Sequence, residues 1–292
     1  MLAQARVARD ISYSSSADTA TRRAVIRLLE NATGRTALIR RASGYEHDVA
    51  QGRDFWRVMI ERYGLSLDMV GGSLDDIPRD GPLLMVSNHP FGILDGLVMG
   101  YILSSLRKDF RLVAHKVFRR AEDLNKVILP VSFDVTKEAI RSNIDTRKEA
   151  LDYLAGGGAV GIFPGGTVST SRKMFGKPQD PGWRNFTAKM IMRSDATVVP
   201  IFFEGQNSRL FQIASHASST LRLGLLIKEF KQRVDAPVRI AIGQPIDRAK
   251  LASYRSDSKA MMDFLREQTY ALSPNPLAKQ GLGYEFEAKY KV

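Results

Sequence analysis

Asn88, His89 and Asp95 have the types and spacing to move a proton. An imidazole titrating near neutrality can take a proton from a hydroxyl and return it to a leaving group. A carboxylate on the other ring nitrogen would fix the tautomer and support the imidazolium as it forms. In SNHPFGILDG (87–96) five residues, Pro90 and Gly92 among them, separate His89 from Asp95. A tight turn there would carry the start of the next helix back so that Asp95 meets His89. The plain alternative is a helix-terminal acid favoured by the macrodipole. Spacing alone leaves both readings open.

Two more apolar runs end in polar and glycine residues. AVGIFPGGTVSTSRK (159–173) breaks into a glycine turn, hydroxyls and Arg172-Lys173. Backbone N–H groups in such a turn can nest an anion or oxyanion. TVVPIFFEGQNSR (197–209) runs into Glu204, Asn207 and Arg209, for which simple strand-end and turn duties are equally open. GGGAVG (156–161) matches GxGxxG but follows a helical pattern and precedes a strand. A dinucleotide fingerprint does the reverse. No P-loop or nucleophile-elbow motif occurs. The chain has no cysteine, which excludes thiolate chemistry, and His47, His89, His115 and His216 lack zinc-site spacing.

The elements that must position these residues alternate. Strands are expected at 82–87, 110–115, 127–133, 159–164, 197–205 and 238–246. Helices are expected at 95–106, 136–154, 185–194 and 259–272, with 221–232 helical or irregular. In the 136–154 helix Ala139, Ile140, Ile144, Ala150, Leu151 and Leu154 are expected inward. The pattern predicts an α/β fold, a mixed, largely parallel sheet flanked by helices, over residues 76–275. An N-terminal amphipathic helical appendage (19–75) precedes it, with one stripe at Val25, Leu28, Leu29 and Ala32. A second stripe, Phe55, Trp56, Met59, Ile60 and Tyr63, lies beside Arg53, Arg57 and Arg62. Such aromatics either lie in a membrane interface or pack as core. Residues 1–18 read as a loose, serine-rich start and 276–292 as a tail.

With 292 residues, 44% hydrophobic and 25% charged, the chain has ample material for a core. No apolar tract reaches the roughly 20 residues of a membrane span, and the N-terminus has no secretory pattern. The net charge of +12 attracts nucleic acid, an anionic membrane or an acidic protein, unless it is only a solvated basic surface. No aromatic-basic module of a nucleic-acid-binding type is present, so no nucleic-acid partner is expected.

Taken in order, these residues resemble the lysophospholipid/glycerolipid acyltransferase family, in its hemolysin-like HPxGxxDG branch. Its first block is matched by Asn88, His89 and Asp95, its second by LVAHKVFRR (112–120), its third by FPGGTVS (163–169) and its fourth by VVPIFF (198–203). The likeness runs from about residue 80 to residue 245. Two departures stand out. The spacer has five residues against the family's four, and Gly165 and Val168 replace the third block's Glu and Arg.

The resemblance implies an O-acyltransferase that moves a fatty acyl group from acyl carrier protein or coenzyme A to a lysolipid hydroxyl. His89 would be the base and Asp95 its orienter. Asn88, Phe163, Pro164, Gly165, Gly166, Thr167 and Ser169 would surround substrate and oxyanion, with Gly165-Gly166 supplying N–H donors. Lys116, Arg119, Arg172 or Lys173 would supply the lost cation, or the acceptor is not a phosphate monoester. Asn207 and Arg209 complete the expected set. The resemblance implies no metal or other cofactor. It implies an enzyme peripheral to the cytoplasmic face of the inner membrane, with an anionic membrane surface, a lysolipid and an acidic acyl carrier protein as partners. Its rivals are a thioesterase or lipid hydrolase using the same pair on water, and a noncatalytic basic lipid-binding protein indifferent to His89→Ala.

Overall fold

The computed structural model describes residues 12–120, 122–132, 136–276 and 281–287. The helices and strands follow as α1 (Ala20–Thr33), α2 (Arg35–Ala42), α3 (Tyr45–Ala50), α4 (Phe55–Arg62), β1 (Ser66–Gly71), β2 (Leu83–Ser87), α5 (Ile93–Leu106), β3 (Phe110–His115), α6 (Glu122–Asn125) and β4 (Ile128–Val131). Then come α7 (Lys137–Ala155), β5 (Ala159–Ile162), α8 (Asn185–Met192), β6 (Thr197–Phe203), α9 (Arg209–Ala217), α10 (Ser219–Lys231), β7 (Pro237–Ile242), α11 (Arg248–Ala252) and α12 (Ser258–Ala271).

Among the described residues the strands form one sheet in the order β1-β7-β6-β2-β5-β3-β4. Neighbours run parallel except β6 and β7, so the sheet is mixed and largely parallel, as the alternation predicts. β2 is buried at every position, because a central parallel strand has helices over both faces. β5 and β6, consecutive in the chain, lie on opposite sides of β2. Their connection therefore crosses β2, and the crevice beyond its carboxyl end is where such sheets bind ligands. β1 is not signalled in the sequence; SLDMVG is a half-exposed strand at the sheet's edge, paired only with β7.

The N-terminal helices are part of the core. Trp56 lies flat against Gly100 of α5, where even a Cβ would fall 2.2 Å from the indole. The same ring meets Phe55 and Phe110, and Tyr63 packs edge-on against Phe230 at 4.9 Å. The aromatic stripe on α4 is thus buried inside the domain, not offered to a membrane interface. On α1 the buried line runs through Ile26 and Glu30, while Leu28, expected inward, is 70% exposed. Glu30 sets that rotation: its carboxylate accepts from Ser12 Oγ at 2.5 Å and from the Tyr13 N–H at 2.8 Å. Residues 12–16 of the serine-rich start, expected to be loose, accordingly pack on α1, with a 3-10 turn at Tyr13–Ser16. Burial raises the Glu30 carboxyl above its usual range.

Polar anchors also turn α7. Thr146 donates to Pro130 O, and the Asn143 side chain brackets the Ser132 backbone at 2.7 and 2.8 Å. The buried stripe is therefore Ala139, Thr146, Ala150 and Leu154; Ile140 and Ile144, expected inward, are exposed. No described helix is long and apolar enough to cross a membrane.

Candidate active site

β2 delivers its last residues to the crevice under tight constraint. Asn88, next in the chain, donates to Phe203 O at 2.9 Å and accepts from the Phe203 N–H at 2.7 Å, tying the ends of β2 and β6 together. Both ends of the amide are used, so Asn88 positions the strand end. His89 follows, and Gly92, at φ 86°, makes the turn into α5. That left-handed conformation favours glycine. Asp95, in the first turn of α5 and fully buried, accepts through Oδ2 from His89 Nδ1 at 2.9 Å. The same oxygen accepts from the N–H groups of Phe91 (2.8 Å) and Gly92 (2.9 Å). The helix-terminal reading and the His-orienting reading of Asp95 are therefore both realised. Burial pushes its carboxyl up from the usual range, and the hydrogen bonds pull against that shift.

β5 ends beside β2 and supplies the second wall. Phe163 stacks on the His89 ring, centroids 4.2 Å apart. Phe163–Gly166 is a β-turn with Pro164 second, closed by the Gly166 N–H on Phe163 O at 2.9 Å. That bond occupies one of the two glycine N–H groups expected to face an oxyanion. Gly165 is turned away from the cleft, its missing Cβ 3.3 Å from Asp180. Ser169 is buried too, donating to Asp180 at 2.5 Å, and neither Gly165 nor Ser169 lines the cleft.

Sequence reasoning misses Asp180. Fully buried, it accepts through Oδ1 from the His89 N–H (3.2 Å) and Ser169 Oγ, and through Oδ2 from Trp183 Nε1 (2.9 Å). Tyr270 of α12 accepts from its N–H at 2.8 Å. Asp180 thus binds the His89 backbone, the third-block loop and the last helix together. Its one sequence signal is to be the first acid after the acid-free stretch 164–179.

The expected cations mostly lie elsewhere. Lys116, Arg119 and Lys173 are exposed and do not border the cleft at His89; of the four only Arg172 does. Arg119 donates to Asn125 at 2.7 Å. Asn207 is buried behind the cleft and Arg209 is exposed at the start of α9, so neither joins His89. Two other arginines reach the turn. Arg222 of α10 donates to Thr167 Oγ1 (2.9 Å), Val168 O (2.8 Å) and Thr170 Oγ1 (2.6 Å), with its guanidinium over Phe211 and Phe286. Burial pulls it down from the usual arginine range. Arg184, hydrogen-bonded through its N–H to Pro164 O, extends past Gly166 and holds Glu285 through two bonds at 2.8 and 2.9 Å. Glu285 belongs to the presumed tail, whose residues 281–287 pack across this side through Gly283 and Tyr284.

His89, Phe163, Pro164, Gly166 and Thr167 border a long cleft of about 2710 Å³. Its lining includes the polar Thr167, Arg184 and Glu285 and, from α4, α5 and α10, the apolar Trp56, Met59, Leu97, Leu226 and Phe230. Gly96 of α5 borders it with open space where a side chain would begin. A histidine with Nδ1 on a carboxylate, bordering a cleft lined by both polar and apolar groups, is an arrangement that suits an amphiphile bearing a hydroxyl.

The chain has relatives among known proteins. Over 202 residues the chain is 26% identical to a lyso-glycine lipid O-acyltransferase of Phocaeicola vulgatus, covering 67% of this chain and 69% of that protein. A protein of the same name from Bacteroides thetaiotaomicron is 26% identical over 212 residues, covering 67% and 71%. The crystal structure of the 1-acyl-sn-glycerophosphate acyltransferase PlsC from Thermotoga maritima superposes with a TM-score of 0.44 at 15% identity, over 76% of this chain and 84% of that one. A family model described as Acyltransferase matches residues 46–278, a span from α3 past α12 that takes in the His89–Asp95 pair, the Phe163–Gly166 turn and Asp180. The chain belongs to that family and is an acyltransferase.

Proposed function

We propose that the chain transfers a fatty acyl group from an acyl thioester to the hydroxyl of a lysolipid whose head group ends in a carboxylate. The observation that carries this reading is the His89–Asp95 bond of 2.9 Å at the border of a cleft lined by both apolar and polar groups. With Nδ1 committed to Asp95, Nε2 takes the acceptor's hydroxyl proton. The acceptor oxygen attacks the thioester carbonyl as that proton leaves. The tetrahedral oxyanion is held by backbone N–H groups, Thr167 first, because its N–H has no acceptor among the described residues. Collapse breaks the carbon–sulfur bond, and His89 returns the proton to the departing thiolate. The acyl chains lie along the apolar lining.

Arg184 supports a carboxylate head group, which would take the place Glu285 holds. A guanidinium that holds the Glu285 carboxylate through two parallel bonds is chemically a bidentate carboxylate site. An amino-acid head group joined through its nitrogen presents that carboxylate, in keeping with the names of the relatives. Acyl carrier protein and coenzyme A remain equal candidates as thioester carrier.

The test is a transfer assay with labelled acyl carrier protein and acyl-coenzyme A, with lyso-glycine lipid and lysophosphatidate as acceptors, and wild type beside His89→Ala. Transfer lost in the variant, with lyso-glycine lipid preferred, supports the reading. Free fatty acid in place of acylated lipid makes the protein a hydrolase. Equal transfer by the variant overturns the mechanism.

A further inference from the structure

Residues 171–178 form a hairpin loop, exposed at 172–177, whose base lies beside His89. It is closed at its base by an antiparallel bridge between Thr170 and Gln179. The residues flanking that bridge hold His89: the Ser169 N–H donates to His89 O at 2.7 Å, and Asp180 accepts from the His89 N–H. The Gly176 N–H closes a turn on Lys173 O at 2.9 Å, which puts Met174 and Phe175 at the tip. Phe175 is 75% exposed and Met174 44%, although nothing in the fold forces either into water. An exposed aromatic tip on a loop anchored at its base is an apolar surface without its partner.

The surroundings say what that partner is. Arg172, Lys173 and Lys177 form an exposed basic collar around the tip. The loop's root rests on α9, where Gln212 accepts from the Ser171 N–H and His216 bonds Ser171 O. On the exposed face of α9, Leu210 and Ile213 stand one turn apart beside Arg209. No aspartate or glutamate occurs in residues 165–179 or 205–228. Apolar side chains beside cations, with no acid in either segment and Glu285 of the neighbouring 281–287 stretch paired with Arg184, match a surface that is apolar inside and anionic outside.

We infer that the 171–178 hairpin and the exposed face of α9 dock the enzyme on an anionic lipid bilayer, with Phe175 and Met174 below the head groups. This rests on the acceptor being a lipid, and it adds a consequence: the hairpin's base is bonded to His89, so docking sets the site's height above the membrane. The α4 aromatics are buried in the core and have no part in this contact.

The experiment is vesicle sedimentation of the full chain on phosphatidylcholine with and without phosphatidylglycerol, for wild type, Phe175→Glu and His89→Ala. Binding is read without turnover, so failure of docking and failure of the catalytic reading are separate results. Wild type and His89→Ala are expected to bind the anionic vesicles alike and to lose affinity with salt. Phe175→Glu is expected to bind about tenfold more weakly while acylating a short-chain acceptor dissolved as monomers at the wild-type rate. A Phe175→Trp variant should shift its emission to the blue on the vesicles, against the buried Trp56 and Trp183. Unchanged vesicle binding by Phe175→Glu overturns the proposal. So does wild type that ignores anionic vesicles but binds an acidic acyl carrier protein through the same hairpin.

Discussion

Asp95 Oδ2 is equidistant, at 2.9 Å, from His89 Nδ1 and the Gly92 N–H, so one oxygen both orients the imidazole and ties back the turn that carries it. Replacing Asp95 by Asn keeps the shape and removes the charge. The Phe91 and Gly92 N–H groups keep the amide oxygen at the Oδ2 position, so His89 stays oriented but loses the negative charge that supports its imidazolium. The expected outcome is a fall in kcat of about 10²–10⁴-fold with little change in KM. Asp95→Ala should in addition lose about 1 kcal/mol of stability with the helix cap. Single-turnover transfer beside urea unfolding separates the two variants.

Asn88 predicts the opposite balance. It is buried, and its truncation leaves both the Phe203 N–H and C=O without partners. Asn88→Ala should destabilise by about 2–4 kcal/mol and lower activity through misplacement of His89. His89→Ala should melt near wild type while losing transfer. Thermal unfolding of the pair of variants checks this; equal melting temperatures would make Asn88 a solvated bystander.

What the sequence shows of the site depends on how locally it is built. His89 and Asp95 sit in one strand-turn-helix, where an apolar run, a proline-glycine turn and a helical period all mark the place. Asp180 reaches His89 from 91 residues away, in a loop with no periodicity, so spacing carries no trace of it. Helix faces fail for a related reason. Leu28, Ile140 and Ile144 follow the apolar rule, but Glu30, Asn143 and Thr146 make buried hydrogen bonds to distant backbone and set the rotation of α1 and α7. The order of strands and helices survives because it rests on many residues at once, and each cation's place rests on one.

Gly165 explains a departure from the family that is otherwise only an absence. Its φ is negative, so conformation does not require glycine; space is tight instead, with Asp180 Cβ, Cγ and Oδ2 all 3.3 Å from a built Cβ. Restoring the family's acid with Gly165→Glu sets a second carboxylate beside a buried one. The expected result is loss of stability of about 2–4 kcal/mol and loss of transfer. Gly165→Glu with Asp180→Asn should recover part of the stability, a coupling that a double-mutant cycle measures. Full activity in Gly165→Glu alone would show that Asp180 does not occupy this space.

Arg184 should act on the acceptor's affinity and not on the chemical step. Arg184→Lys keeps the charge but loses the planar fork that holds Glu285. If the fork reads the head group, KM for the acceptor should rise about tenfold with kcat nearly constant. Steady-state kinetics with varied acceptor give the answer. A fall in kcat at unchanged KM would assign Arg184 to the loop's geometry instead.

Gly96 offers a test in which stability and specificity move apart. Glycine within a helix costs roughly 0.5–1 kcal/mol against a good helix former, and nothing lies within 4 Å of the Cβ that Gly96 lacks. Gly96→Met should therefore unfold no earlier than wild type. Its side chain would enter the cleft and occupy volume that the acyl chain needs. Each methylene denied its place is worth about 0.8 kcal/mol, close to fourfold in relative rate. Competition between long and short acyl thioesters should shift toward the short chain by about that factor per carbon excluded. An unchanged chain-length profile in a well-folded Gly96→Met would place the acyl chain elsewhere and leave this part of the cleft without a ligand.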